Sequence, residues 1–561
     1  MGVIGTLLLV AAVAGAGQES AQAQAQAQEQ AQEPGAGWQR FVDPADAGFS
    51  TGGLAGAWDF AHTRGVPALM VVSRGAVVGA WGEVDRRLPI HSIRKSLLSV
   101  LYGVYADRID LDATLGELGI DERTPLTAAE KGARVRDLLA ARSGIYLPAA
   151  GEAAEVSTDR PERGSHPPDT FWWYNNWDFN AAGTAFERLT GVPVLEALHT
   201  SLAVPMGLQD WRPTDAFEHR EPDRSIHPSF GANLSTRDLA RIGVLMASGG
   251  RWGDAQLVPR DWVELSTRWH SDIDMRDEYG TAYGYMWWVD GTEGFSARGY
   301  GGHVLAVYPE DELVVVVRAD TFHDRFVSNR ALGILIDRVR EAKTGEAVAD
   351  ARLEAWSGVV PEGPDGRSGP ARAAPSRPTA ADLAPYAGVF PLASGDTVAV
   401  AASDAGLTLD YGRGVFDLIP LEVLAGGAAR FLTADTRDEV WIELGADGRA
   451  ERVLSEPVLY LEAAAAAAAG DVDGAVAWVR TAVEAFPESP SARFNFARAL
   501  HGSGDRGAAL AQLDTALTLD PDHDDARRLR RSLGVGRFLP MGLGALVLTL
   551  VLLGVRRLLR R

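Results

Sequence analysis

Ser92 and Lys95 stand three residues apart in HSIRKSLLSV, residues 91–100. The chain counts 54 Lys plus Arg, yet lysine occurs only at positions 95, 131 and 343. The choice is chemical: a guanidinium keeps its proton in a protein, whereas an ammonium releases it once its pKa is lowered. A serine hydroxyl is a weak nucleophile and needs a base. If a helix opens at Ser92, the two side chains lie one turn apart on one face. A desolvated Lys95 near the positive end of that helix can lose its proton near neutral pH. The plainer reading makes Ser92 an N-cap and Lys95 a solvated helix residue.

A second group follows in PPDTFWWYNNWDFNAAGTAFERLTG, residues 167–191, which places Tyr174, Asn175 and Asn176 on a loop just before an amphipathic helix. A third lies in ARGYGGH, residues 297–303, directly ahead of the strand-like VLAVYPE. Ser-x-x-Lys, then Tyr-x-Asn about 80 residues on, then a Gly-rich strand near the end resemble the serine β-lactamase and penicillin-binding protein superfamily. The likeness is nearest to its class C β-lactamase-like esterases and amidases. VRDLLAARSGI (135–145), NLSTRDLARIGVLMASGGRWGDAQLVPRDWV (233–263) and YGYMWWV (283–289) belong to the same likeness.

The resemblance implies that Ser92 is the acylated nucleophile, Lys95 its base and Tyr174 the proton relay to the leaving group. It implies that Asn176 orients Lys95 or the substrate. Within Gly299-Tyr300-Gly301-Gly302, a backbone N–H near Tyr300 would complete an oxyanion hole with that of Ser92, with Gly301 beside it. Such a donor is worth about 2.7–4 kcal/mol. The superfamily's Lys-Thr-Gly occurs literally at Lys343-Thr344-Gly345, but it ends the helical stretch ALGILIDRVREAKTG, where glycine is an ordinary C-cap. It is therefore set aside. Without that lysine on the strand, a carboxylate-bearing β-lactam loses a partner, which favours an ester or amide substrate. A penicillin-binding protein, D-alanyl peptidase or β-lactamase is one alternative, and a non-catalytic envelope scaffold another.

These residues must be held by a body over residues 37–346. ALMVVSRGAVVGAWG (68–82) reads as a hairpin around Arg74-Gly75, and HVLAVYPEDELVVVV (303–317) as one turning at Pro309-Glu310-Asp311. KSLLSVLYGVYA (95–106) has helical spacing. The expected fold class is α+β: an antiparallel sheet flanked by helices, pairing the two ends of the body, plus an all-helical subdomain. A Pro/Gly/Arg-rich linker over 347–380 leads to a small β domain over 381–456, whose start, YAGVF, is similar to the lipocalin-like modules appended to this group. Helices over 457–533 repeat at an offset of 34, with Gly470-Asp471 matching Gly504-Asp505, Pro487 matching Pro521 and Ala492 matching Ala526. That period resembles the tetratricopeptide repeat and makes the segment a candidate docking site for a protein partner.

The ends read as targeting segments. Residues 1–17 resemble a secretory signal and 18–36 form a Gln/Ala-rich linker. Phe538–Val555 runs 18 residues without a charge, enough for one transmembrane helix, and the basic tail 556–561 follows. Together they predict a single-pass membrane anchor with the catalytic domain on the periplasmic or extracellular side. The net charge of −21 argues against a nucleic-acid partner. The absence of cysteine excludes disulfides and thiolate chemistry. His219 and His227 lack metal-ligand spacing, and no metal or cofactor is expected. Trp172, Trp173, Trp177, Trp287 and Trp288 could line an acyl pocket or simply pack the core.

Overall fold

The protein is described here by a computed structural model. It covers residues 37–534 except 153–159, 274–280, 291–292, 324, 349–350, 357–379, 393–394, 396, 404–405, 412–414, 424–427, 437 and 522. The described residues form two compact units. One holds those up to Asp320 and from Phe326 to Trp356; the other holds a short stretch from Thr321 and everything from Ala380 onward.

The first unit is built on a ten-stranded sheet. Its spatial order is β10 (Leu353–Trp356), β1 (Trp38–Phe41), β3 (Ala76–Gly82), β2 (Ala68–Ser73), β9 (Leu313–Val317), β8 (His303–Tyr308), β7 (Gly294–Gly299), β6 (Trp288–Asp290), β5 (Ala282–Tyr283) and β4 (Ser271–Asp272). Neighbours pair antiparallel except β1 with β3. The expected union of the body's two ends is present: β2 pairs β9 from Leu69↔Val317 to Ser73↔Leu313. Both strands are buried throughout, which is why ALMVVS and LVVVV are continuous apolar runs without polar alternation. Met70, Val72, Val314 and Val316 point into one core, and Leu69, Val71, Val315 and Val317 into the other. The β2–β3 hairpin turns at Arg74 (φ 51°) and Gly75 (φ 76°), the two left-handed residues of a type I′ turn.

One face of this sheet is covered by α1 (Thr51–Thr63) and the C-terminal helix of the unit, Asn329–Glu341. The other carries α2 (Ile93–Val104) and Thr236–Ala247. The latter approaches closely at Gly243, where a Cβ would stand 2.4 Å from Val314 Cγ1. Apart from the isolated bridge of Thr114 with Arg134, the described residues between α2 and residue 215 are helices and loops, among them α3 (Asn176–Thr190), whose Phe179, Ala182 and Phe186 join the same core. This is the expected all-helical subdomain. Residues 353–356, read as linker, instead form the edge strand β10, which anchors Trp356 opposite Trp38.

The second unit opens with a seven-stranded antiparallel meander from Gly388–Pro391 to Ala450–Ser455, each strand pairing with the next. Helices Glu456–Ala468, Val472–Ala485, Pro490–Gly502, Arg506–Leu519 and Asp524–Gly534 follow. The 34-residue period has a physical basis here. Asp471 and Asp505 cap their helices by accepting from Gly474 N and Ala508 N. Arg493 and Arg527 each donate Nε to the carbonyl of the repeated proline, Pro487 or Pro521.

One expected element is corrected. No helix among the described residues is long and apolar enough to cross a membrane. The longest, α3, has 15 residues, short of the ~18–20 a span requires. Residues 538–555, where that helix was expected, lie outside the described residues, as do 1–36 and 556–561.

Candidate active site

Helix α2 is buried along nearly its whole length, from Ile93 to Gly103, so the residues at its start are held by the core rather than by solvent. His91, immediately before it, adopts φ 46°, a left-handed conformation that turns the chain sharply into the helix. Ser92 occupies the N-cap position, yet its side chain caps nothing. Its Oγ instead accepts a hydrogen bond from Lys95 Nζ at 2.7 Å. The same Nζ donates to Tyr174 OH at 2.8 Å. Lys95 is only 2% exposed. Its Nζ lies 4.7 Å from the Tyr174 ring centroid and 5.0 Å from that of Phe179. Burial holds the Lys95 pKa well below the usual lysine value; the Arg94 cation adds to this, and Glu152 opposes it.

Tyr174 is presented by the loop that enters α3. Asn175 is the N-cap, its Oδ1 accepting from Trp177 N, while its Nδ2 donates to Ile145 O and Asp178 Oδ1, both at 2.7 Å. Asp178 is fully buried and also accepts from Ser143 Oγ and Ser143 N. Burial pushes its carboxyl well above the usual range, against the pull of these donors. The Tyr174 ring stacks on Trp288 at 5.4 Å and meets Phe179 at 5.0 Å and Tyr283 at 6.2 Å.

The Gly-rich segment closes the site from the sheet side. Gly299 ends β7, and a Cβ there would stand 2.6 Å from Ile90 O and 3.4 Å from His91 Cβ. Only glycine lets this strand end touch the turn that carries the serine. The exposed Tyr300 sets its ring edge-on to His91 at 5.8 Å, and Gly301 adopts φ 85°. Among the described residues, neither Ser92 N nor Tyr300 N donates a hydrogen bond to a protein group. Behind His91 sits His303, whose Nδ1 accepts from Arg318 Nε at 3.0 Å. The His91 imidazole is lowered to about 4, first by burial and then by Arg318.

The structure thus gathers Ser92, Lys95 and Tyr174, and sets Tyr300 and Gly301 at the adjoining strand end. The half-buried Asn176 is separate: it begins α3 and makes no side-chain hydrogen bond to Lys95, since the neighbouring Asn175 takes the anchoring role. Trp177 and Trp287 are core residues, both fully buried; Trp172 and Trp288 pack around Tyr283 beside Tyr174. Lys343 pairs with Asp311 at 2.7 Å, as befits a helix end. Arg94, Phe179, Tyr283, Ser143 and Asp178 escaped the sequence reading. Of these only Arg94, inside Ser-x-x-Lys, carried a signal, because a second charged residue beside Lys95 at the start of a largely apolar helix invites the question of what it faces. Among the described residues no cluster of acidic, histidine or cysteine side chains could hold a metal ion.

Comparison with known proteins finds relatives of this chain. Over 146 residues the chain is 31% identical to 6-aminohexanoate-dimer hydrolase of Paenarthrobacter ureafaciens; the match takes in 23% of this chain and 34% of that protein. The chain therefore spans about a third of the length of that curated relative. Among the solved structures to which the chain is similar are the following two. A β-lactamase from Mycobacterium bovis is 18% identical, covering 52% of this chain and 100% of that one, with a TM-score of 0.38. A penicillin-binding protein homologue from Caulobacter crescentus is 16% identical, covering 52% and 98%, with a TM-score of 0.39. Residues 466–533 match the tetratricopeptide repeat. The Beta-lactamase family model matches residues 53–337, a span that holds Ser92, Lys95, Tyr174 and Gly299 together and takes up just over half of the chain, and to that family this protein belongs.

Proposed function

We propose that this protein is a serine hydrolase that cleaves an ester or amide through an acyl-enzyme. The observation that carries the reading is Lys95 Nζ, buried and hydrogen-bonded to Ser92 Oγ at 2.7 Å and to Tyr174 OH at 2.8 Å. Neutral Lys95 takes the Ser92 proton as Oγ attacks the carbonyl carbon. The backbone N–H groups of Ser92 and Tyr300 receive the developing oxyanion. The proton then passes from Lys95 through the Tyr174 hydroxyl to the leaving alkoxide or amine. Water, activated by the same pair, releases the acid.

Trp172, Tyr283 and Trp288 support an apolar acyl or leaving group beside Tyr174. The strand end at Gly299 to Gly302 carries no lysine, which favours neutral esters and small amides over carboxylate-bearing β-lactams. The test is covalent labelling of the purified chain with a fluorophosphonate and a fluorescent penicillin, beside turnover of short p-nitrophenyl esters and small amides. Wild type should label and turn over, and Ser92→Ala should do neither. Ester hydrolysis retained by Ser92→Ala would sink the assignment.

A further inference from the structure

Acylation as drawn leaves Arg94 without a role, and its surroundings are unusual for an arginine. It sits inside the Ser-x-x-Lys turn and is only 7% exposed. Its Nη2 donates to Asn180 Oδ1 at 2.8 Å, and Asn180 is itself fixed by a bond from Nδ2 to Ala150 O at 3.0 Å. Its guanidinium lies 5.2 Å from the Phe230 ring centroid. Nη1 is buried without a partner, and no carboxylate pairs with Arg94 among the described residues. Two other buried cations of this unit are paired, Arg86 with Asp320 and Arg87 with Asp215, while Arg318 is held by His303 and by the carbonyls of Leu88, Pro89 and Leu234. Burying a cation without its counter-ion is costly, and an apolar side chain of similar volume would pack there at lower cost.

We propose that Arg94 is a positioning residue for acylation: its charge, borne by the residue before Lys95 in the same buried turn and held at Asn180, next to the Phe179 whose ring meets Nζ, disfavours a second cation there and so keeps Lys95 Nζ free to take the Ser92 proton. The inference rests on the reading of Ser92 as nucleophile and Lys95 as base. The same charge serves both halves of the step. It keeps Nζ unprotonated before attack. Once Nζ holds the Ser92 proton, it makes that ammonium a stronger acid toward Tyr174 and the leaving group. No proton is gained or lost by Arg94.

The other charges facing Lys95 do not cancel this one. From the turn before α2 comes His91, neutral above a pKa of about 4. From α3 and its loop come Tyr174 and Asp178, the latter a carboxyl raised by burial. From β5 comes Tyr283, raised above the usual phenol value. Glu152 opposes, and it is held by Arg160 and, at 3.4 Å, by Arg224. Arg94 itself, lowered by burial to about 10, remains a cation at neutral pH.

The test is the pH profile of kcat/KM for a p-nitrophenyl ester, measured on the full chain as wild type, Arg94→Met, Arg94→Gln and Arg94→Lys. Both neutral variants should move the acidic limb upward by about one pH unit, because loss of a neighbouring cation raises the pKa of the base. On the acidic side of the wild-type limb they should lose about tenfold, and the loss should shrink toward nothing above the new limb. Arg94→Lys should restore the wild-type limb. If either folded neutral variant keeps the limb in place, with its rate lowered evenly at every pH or not lowered at all, Arg94 is structural and the proposal is overturned. Arg94→Gln can keep the bond to Asn180, so it decides the matter if Arg94→Met fails to fold. Activity retained in Ser92→Ala is a separate result: it removes the nucleophile assignment itself, whatever the Arg94 profiles show.

Discussion

Ser143 Oγ donates to Asp178 Oδ1 at 2.5 Å, joining two residues 35 positions apart in the chain. Asp178 also holds Asn175, and Asn175 holds Ile145 O, so the loop that presents Tyr174 is tied to the Ser143 turn by a closed set of buried bonds. None of these groups touches Lys95 Nζ. They set the place of the phenol that does.

Asp178→Ala should therefore cost both stability and turnover. Three buried donors lose their acceptor, each worth about 1–3 kcal/mol when left unpaired. With the loop released, Tyr174 samples positions away from Lys95, and kcat should fall more than KM rises. Urea unfolding and steady-state kinetics on one preparation check both parts. A variant with lowered stability but unchanged kcat would mean that the clasp only supports the fold.

Much of this site can be read in the chain itself, and the reason is local. Ser92 and Lys95 meet because one helical turn separates them, and lysine's rarity marks position 95. The β2–β3 hairpin was legible from Arg74-Gly75, whose left-handed angles leave few other turns. The Ser143–Asp178 clasp was not, because nothing in ARSG or in WDFN alone requires a partner. Phe179 and Tyr283 were missed for a related reason: aromatics in apolar stretches look alike whether they fill a core or wall a site. The strand β10 was hidden in a Pro- and Gly-rich neighbourhood whose composition argues for a linker. Asn176 is the reverse case: the motif implied that it orients Lys95 or the substrate, and among the described residues it makes no hydrogen bond to Lys95, while its neighbour Asn175 bonds Ile145, Trp177 and Asp178.

The backbone at Tyr300 offers a sharper distinction. Its side chain is 54% exposed, while the proposed function uses only its N–H. Tyr300→Ala should stay within a few-fold of wild type. Tyr300→Pro, which removes the donor, should lose about 10²–10³ in kcat, the range for one oxyanion-hole hydrogen bond. An equal loss in both variants would place the function in the phenol ring.

His91 makes a prediction about stability and pH. Its folded pKa of about 4 lies below the unfolded value of about 6.5. Between these values the unfolded chain takes up a proton that the folded chain refuses. Stability present above pH ~6.5 is therefore lost as the pH falls toward 4. Carboxylates contribute over the same window, but they do so equally in a variant. His91→Gln should thus show a smaller drop in its urea midpoint between pH 7 and pH 4.5 than wild type. Equal drops would mean that the imidazole is protonated as readily in the folded chain as in the unfolded one.

Lys95→Arg puts the central assignment at most risk, because it keeps the charge and changes only what the charge can do. A guanidinium holds its proton at any pH a protein survives, so it can donate to Ser92 Oγ and to Tyr174 but cannot accept from either. If Lys95 were a structural cation, its two hydrogen bonds and its contacts with the Tyr174 and Phe179 rings could be largely reproduced, and activity would survive. If it is the base, the Ser92 hydroxyl has nowhere to send its proton, and kcat should fall by about 10²–10⁴, the usual contribution of a general base. The longer side chain enters a buried site, so some loss of stability is expected in either case, typically about 1–3 kcal/mol for overpacking. Stability cannot decide between the two roles, but the acidic limb can. If Lys95 is the base, the wild-type limb reports its deprotonation, and in Lys95→Arg the residual rate should show no such limb. A variant with near wild-type turnover and an unchanged pH profile would show that proton transfer at Ser92 does not pass through Lys95.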